Sequence, residues 1–111
     1  MVKVGIIGAS GYAGAELYRL LLNHPHVEIV AISSQSYEGK MISDLYPSFY
    51  GRFDMMLTND QEVLEKAEMI FASLPHGLSE KYAKVCDEKG KKFIDLGADF
   101  RLDHEKDYQQ W

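Results

Sequence analysis

Val2-Lys3-Val4-Gly5-Ile6-Ile7-Gly8-Ala9-Ser10-Gly11-Tyr12-Ala13-Gly14-Ala15-Glu16-Leu17 opens the chain and decides its architecture. Val2 to Ile7 is a short, nearly continuous apolar run ended by Gly8, the pattern of a strand buried on both faces in a parallel sheet. From Gly11 to Asn23 the apolar Ala13, Leu17, Leu20 and Leu21 recur at helical spacing, and Pro25 lies just past the end, where a helix cannot continue. Between strand and helix, Gly8, Gly11 and Gly14 form a G-x-x-G-x-x-G in place of the commoner G-x-G-x-x-G. The variant still supplies a tight turn, a backbone able to approach a pyrophosphate, and close packing of helix on strand at the third glycine. The helix N-terminus then offers free amides and the positive end of its dipole to a phosphate. Ser10 adds a hydroxyl donor. Gly8, Ser10, Gly11, Tyr12, Ala13 and Gly14 are therefore the candidate ligands of a dinucleotide's diphosphate. A purely structural turn is the competing reading, and the buried strand before and amphipathic helix after favour the nucleotide.

Outward from this unit, Val27 to Ser33 reads as a second strand built on Val27, Ile29, Val30 and Ile32. The stretch Gln35 to Gly51, with Pro47 and three tyrosines, reads as a long irregular loop holding a turn of helix near Ile42 to Leu45. Phe53 to Leu57 suggests an edge strand, and Asn59 with Glu62 has capping-box spacing for a short helix through Ala67. Met69 to Leu74 is a third apolar run. Ser79 is expected to cap a helix to Glu88, closed by Gly90 in the left-handed conformation, and Phe93 to Leu96 reads as the last strand. Strands alternating with helices in this order predict an α/β fold. It is a doubly wound, Rossmann-type parallel sheet with helices on both faces, and its ligands sit beyond the carboxyl ends of the strands.

Three segments leave those carboxyl ends. The second strand ends Ile32-Ser33-Ser34-Gln35, without the acid that usually accepts from the ribose 2'-hydroxyl of NAD. Hydroxyls at Ser33 and Ser34, with Lys40 nearby, suit a 2'-phosphate and favour NADP; the alternative is an ordinary polar loop. Ser73, Leu74, Pro75 and His76 follow the third apolar run, where a cofactor wall is expected, although Pro75 and Gly77 are also common turn formers and His76 reads equally as structural. Arg101, after the last strand, suits a substrate carboxylate or phosphate, or else pairs with Asp95 or Asp99.

Other residue types exclude more than they suggest. Cys86 shares the apolar face of its helix with Tyr82 and Val85 near the helix C-terminus, where the dipole disfavours a thiolate, so it reads as core and not as a nucleophile. His24, His26 and His104 lack metal-ligand spacing, and no metal is expected. The formal net charge of -5 over 111 residues offers no basic field for nucleic acid or anionic lipid. One cysteine allows no internal disulfide, and no apolar run approaches the ~20 residues that span a bilayer, so a cytoplasmic protein without nucleic-acid or membrane partners is expected.

Gly8 to Leu17, Gly39 to Pro47, Leu74-Pro75-His76-Gly77 and Leu96-Gly97-Ala98-Asp99-Phe100-Arg101-Leu102 together resemble the start of the N-acetyl-gamma-glutamyl-phosphate reductase family. The glycine motif alone is shared with aspartate-semialdehyde dehydrogenases. The resemblance implies an oxidoreductase that reduces N-acetyl-gamma-glutamyl phosphate to its semialdehyde with NADPH, a step of arginine biosynthesis. It also implies that residues 1–111 are the NADP-binding domain alone. The family's nucleophilic cysteine and its acid-base histidine belong to a later substrate and dimerisation domain, and no position here matches them, so no catalytic residue is assigned. A small-molecule substrate and a homo-oligomer are implied for the full-length protein. Competing classes are a related aminoacyl-phosphate or aspartate-semialdehyde dehydrogenase, a non-catalytic nucleotide sensor, and a scaffold that binds only protein.

Overall fold

The structure, a computed structural model, describes residues 1–96 apart from 52 and 75. Five strands, β1 (Val2–Ile7), β2 (Val27–Ser33), β3 (Leu57–Thr58), β4 (Met69–Ala72) and β5 (Lys92–Asp95), form one sheet in the order β3-β2-β1-β4-β5. Every pairing is parallel. The helices are α1 (Tyr12–Leu22), α2 (Ile42–Leu45), α3 (Asp60–Lys66) and α4 (His76–Glu88), with a 3-10 turn at Pro47–Phe49. β1 is central, and the chain winds outward first to β2 and then, after β3, to β4 and β5. The winding reverses between β1 and β4, which opens a crevice at their carboxyl ends.

Side-chain alternation along the central strands divides the core in two. Ile6 and Ile32 face α1 and pack with Tyr18, Ile42, Phe49 and Leu57. Ile7, Ala31 and Ile70 face the other way and pack with Val63 and Leu64 of α3 and Cys86 of α4. This is why both faces of β1 are apolar: each is covered by helix. Gly5 sets how close α3 comes, since a Cβ there would lie 2.6 Å from Val63 Cγ1 and 2.9 Å from Ala67 Cβ.

The boundaries differ from expectation in instructive places. β3 is Leu57–Thr58 and not Phe53 to Leu57, because Asp54 is held elsewhere: its carboxylate accepts from the amide and hydroxyl of Ser43 at 3.0 and 2.6 Å and from the Met55 amide at 3.1 Å. These bonds, with Ile42 N donating to Met55 O and Leu57 N to Lys40 O, close residues 40–57 into a loop that returns on itself. Asn59 does cap α3, its side chain accepting from the Glu62 amide at 2.9 Å. Ser79 does not cap α4: the helix already begins at His76, and Ser79 lies one turn inside, buried, its hydroxyl without a partner. Pro75 and Gly77 suggest turn chemistry in sequence, but a glycine in the first helical turn is tolerated. Gly90 closes α4 with φ of 72°. β4 ends at Ala72 and β5 at Asp95, each short of the expected Leu74 and Leu96.

Candidate functional site

The glycine turn after β1 is held from every side by backbone. The Ser33 carbonyl, at the end of β2, accepts from the amides of Gly8 and Ala9 at 3.1 and 2.8 Å, and the Gly8 carbonyl accepts from Gly11 N at 3.2 Å. On the β4 side, Ser73 N donates to Ile7 O at 2.9 Å. The three glycines have different physical reasons. Gly8 has φ of 83°, and a Cβ there would lie 2.4 Å from the Ser73 carbonyl oxygen. Gly14 is buried in α1 against the turn itself, where a Cβ would lie 2.5 Å from Gly8 O and 2.9 Å from Ala9 Cα. Both positions exclude a side chain through the protein's own packing.

Gly11 is different. It is exposed, its φ of -74° and ψ of 162° suit any residue, and among the described residues the only atom a Cβ there would approach is Gly8 O at 3.6 Å. It is the N-cap of α1 and brings no side-chain cap to the helix. The amides of Tyr12, Ala13 and Gly14 have no carbonyl four residues back inside the helix to bond, and no acidic residue occupies the first turn. Tyr12 is 79% exposed, and Gly11 before it is exposed as well. An exposed helix N-terminus with free amides is an arrangement to which an anion such as a diphosphate can bind.

Ser10 joins this turn to the β2 loop. Its hydroxyl accepts from Ser34 Oγ at 2.8 Å, Ser34 Oγ accepts in turn from Tyr37 N at 3.1 Å, and Tyr46 from the long loop donates its hydroxyl to Ser10 O at 2.9 Å. Ser33 and Ser34 are both fully buried. The Ser33 hydroxyl donates to Asp60 Oδ1 at 2.7 Å. Lys40 is exposed beyond them, and among the described residues no carboxylate pairs with its ammonium. Of the expected cofactor wall, Ser73 and Leu74 are half-buried beside the glycine turn, and His76 is the first residue of α4. Pro75 and Arg101 lie outside the described residues.

Asp60 is the residue that sequence reading missed. The end of β2 lacks an acid in sequence, yet the first residue of α3 delivers one there in space. Its Oδ2 accepts from Tyr82 Oη at 2.7 Å and from Gln35 Nε2 at 3.4 Å. The Tyr82 hydroxyl is pushed up to about 12, by burial first and then by the hydrogen bond and charge of Asp60. The usable signal was Asn59 as a helix cap: a capped helix after an edge strand starts at the carboxyl edge of the sheet, which is where ligands sit.

Two of the excluded residue types lie away from the glycine turn. Cys86 is buried in the core, and burial pushes its thiol up despite the lowering influence of Lys91 and Lys89. His24 and His26 are exposed, and His104 lies outside the described residues. Among the described residues, no three histidine, cysteine or acidic side chains cluster as metal ligands, and no helix is long and apolar enough to cross a membrane.

Known proteins are similar to this chain in sequence and in fold. The N-acetyl-gamma-glutamyl-phosphate reductase of Clostridium botulinum (strain Eklund 17B / Type B) is 55% identical over 111 residues, which cover all of this chain and 32% of that protein. The protein of the same name from Brachyspira hyodysenteriae (strain ATCC 49526 / WA1) is 53% identical over the same shares. The chain thus spans about a third of the length of the curated relatives it matches. Among solved structures, aspartate semialdehyde dehydrogenase with NADP from Candida albicans superposes with a TM-score of 0.72 at 22% identity, over 91% of this chain and 31% of that one. Aspartate semialdehyde dehydrogenase II complexed with ASA from Vibrio cholerae gives 0.70 at 24%, over 94% and 33%. At these identities the two structures speak for the fold alone. The family model "Semialdehyde dehydrogenase, NAD binding domain" matches residues 3–109. A match that leaves out only a few residues at either end, on a sheet and glycine turn of the kind such domains use, means that this chain belongs to the semialdehyde dehydrogenase NAD-binding domain family.

Proposed function

We propose that this chain binds NADPH for a reductase that converts N-acetyl-gamma-glutamyl phosphate to the semialdehyde and phosphate, in arginine biosynthesis. The observation that carries the binding half is Gly11: nothing in the packing of the described residues requires glycine there, while a diphosphate resting on the amides of Tyr12, Ala13 and Gly14 would. Gly8 and Gly14 hold the turn in shape, and Ser10 steadies it from the side. Ser73 and Leu74, half-buried beside the glycine turn, are assigned to the wall at the nicotinamide end of the coenzyme, and the reading extends this role to Pro75 and His76. When bound, the nicotinamide supplies the hydride that takes an acyl group to an aldehyde.

The preference for NADPH over NADH rests on charge at the ribose end. Gln35 to Lys40 is exposed, carries at Lys40 an ammonium unpaired among the described residues, holds its own Glu38 carboxylate toward Asn59 Nδ2 at 3.5 Å, and follows a strand whose last residues, Ile32 and Ser33, bring no acid. Since Ser33 and Ser34 are buried with their hydroxyls already donated, they shape this loop from within and Lys40 supplies the charge for the 2'-phosphate. Calorimetric titration of both coenzymes tests this. Lys40→Glu is expected to cut NADPH affinity by about tenfold or more and leave NADH nearly unchanged; equal effects on both would remove the 2'-phosphate assignment.

The substrate half rests on the relatives, which are 53 to 55% identical across all of this chain. Residues 1–111 would then be the coenzyme domain of a homo-oligomeric cytoplasmic enzyme whose nucleophile lies outside this stretch, with Arg101 holding a substrate anion. Assay of the encoded protein in the reverse direction, with NADP, phosphate and N-acetylglutamate semialdehyde, is expected to generate NADPH. A rate seen only with aspartate semialdehyde would favour the second reading, to which the solved neighbours belong.

A further inference from the structure

Four parts of the molecule converge on one carboxylate. Asp60 opens α3, and its Oδ1 accepts from the hydroxyl of Ser33 at the end of β2 at 2.7 Å. Its Oδ2 accepts from Tyr82 of α4 at 2.7 Å and from Gln35 of the β2 loop at 3.4 Å. Ser33 in turn is the residue whose carbonyl carries the amides of Gly8 and Ala9. A continuous line of hydrogen bonds therefore runs from α4 through Asp60 and Ser33 to the glycine turn.

The chemistry of the pair gives the line its direction. A carboxylate only accepts, so Ser33 Oγ must donate toward α3, while the carbonyl of the same fully buried residue accepts from Gly8 and Ala9. Ser34 follows directly and reaches Ser10 by its own hydroxyl. Asp60 is itself part-exposed at the carboxyl edge of the sheet, next to exposed Gln35, yet both its oxygens already hold donors of this chain. That occupancy distinguishes it from the acid that reads a ribose 2'-hydroxyl in NAD sites, whose oxygens face the ligand.

We propose that Asp60 is a positioning residue for the dinucleotide, acting through Ser33 on the turn that receives the diphosphate. The inference rests on the coenzyme reading above and names a residue for the same site. Because the diphosphate is common to both coenzymes, loss of the positioning group weakens NADPH and NADH by the same factor. A carboxylate that touched the 2' position would instead change their ratio.

The test is calorimetric titration of NADPH and NADH on the encoded protein and its variants, with circular dichroism of each. Asp60→Ala is expected to weaken both coenzymes about fivefold to twentyfold with the ratio preserved. Asp60→Asn keeps an acceptor for Ser33 and is expected to recover most of that loss. Ser33→Ala combined with Asp60→Ala is expected to cost no more than Asp60→Ala alone, as for two members of one line. Should Asp60→Ala fail to fold, Tyr82→Phe, which removes one donor and keeps the Ser33 bond, is expected to show a smaller loss with the same preserved ratio. Unchanged affinity in Asp60→Ala, or in Tyr82→Phe where that variant stands in, a changed ratio, or losses that multiply in the double variant would each overturn the proposal. Failure of the unsubstituted protein to bind either coenzyme would overturn the coenzyme reading itself, and the two failures are thus distinct.

Discussion

Gly11 and Gly14 are three residues apart, share one turn, and are expected to respond oppositely to the same methyl group. At Gly14 a Cβ would sit 2.5 Å from a backbone oxygen that cannot move without the turn, so Gly14→Ala is expected to destabilise the protein by about 2 kcal/mol or more in urea unfolding. At Gly11 the dihedrals are extended and the space is open, so Gly11→Ala is expected to change stability by less than about 1 kcal/mol. Its effect falls on NADPH titrations, where affinity drops because the methyl occupies the diphosphate's approach. A large stability loss at Gly11 with intact binding would reverse the assignment. Tyr18 makes a prediction in pH. Its hydroxyl donates to Phe53 O at 2.6 Å, and burial first, then the charge of Asp54, pushes it up to about 12. The folded value lies above the unfolded one near 10, so this contribution is whole below about pH 10 and is lost as pH rises through about 12. Two pH units correspond to roughly 3 kcal/mol at most, and Tyr18→Phe is expected to flatten that alkaline fall in thermal melts. Asp54 carries the opposite sign. The Ser43 hydroxyl, the largest influence, holds its carboxyl below the usual range against desolvation, with the Ser43 and Met55 amides helping, so its contribution is present above the unfolded value and is lost as pH falls through the depressed one.

Among the elements, α3 shows how a short helix is kept. Asn59 caps its start, and at its end the Lys91 ammonium, arriving from the turn before β5, donates to the carbonyls of Leu64, Glu65 and Ala67 at 2.6, 3.2 and 2.7 Å. A cation on the terminal carbonyls satisfies orphan acceptors and complements the dipole. Lys91→Met, which keeps the apolar stem, is expected to lose about 2 kcal/mol in urea unfolding; a loss within error would show that water replaces the ammonium at no cost. The Asn59 cap was readable from its spacing to Glu62, whereas the Lys91 cap joins residues more than twenty apart and has no local signature. The same distinction runs through the chain. β1, β2 and the turn at Ile42–Leu45 follow from apolar runs and punctuation that a strand or helix must satisfy locally. β3 moved because Asp54 is claimed by Ser43, α4 began earlier than Ser79 because a glycine is tolerated in a first helical turn, and Asp60 entered the site from a different element. Each of these depends on partners that only the fold supplies.

At the scale of the molecule, the sheet order places the glycine turn, the β2 loop and the end of β4 around one crevice. The turn is braced by Ser33 on one side, by Ser73 on the other and by Tyr46 from the long loop, so that the first turn of α1 faces outward on a fixed base. Its amides can then meet an anion without rearrangement of their surroundings, which is the condition under which a helix N-terminus binds phosphate well. The central claim is that the coenzyme's diphosphate rests on those amides. Titration of isotopically labelled protein with NADPH, followed by amide resonances, reads them one by one. The account predicts that the largest shifts fall on Gly11, Tyr12, Ala13 and Gly14 and saturate together with those of Gln35 to Lys40. Saturable binding that leaves the α1 amides unmoved while shifting residues elsewhere would contradict it.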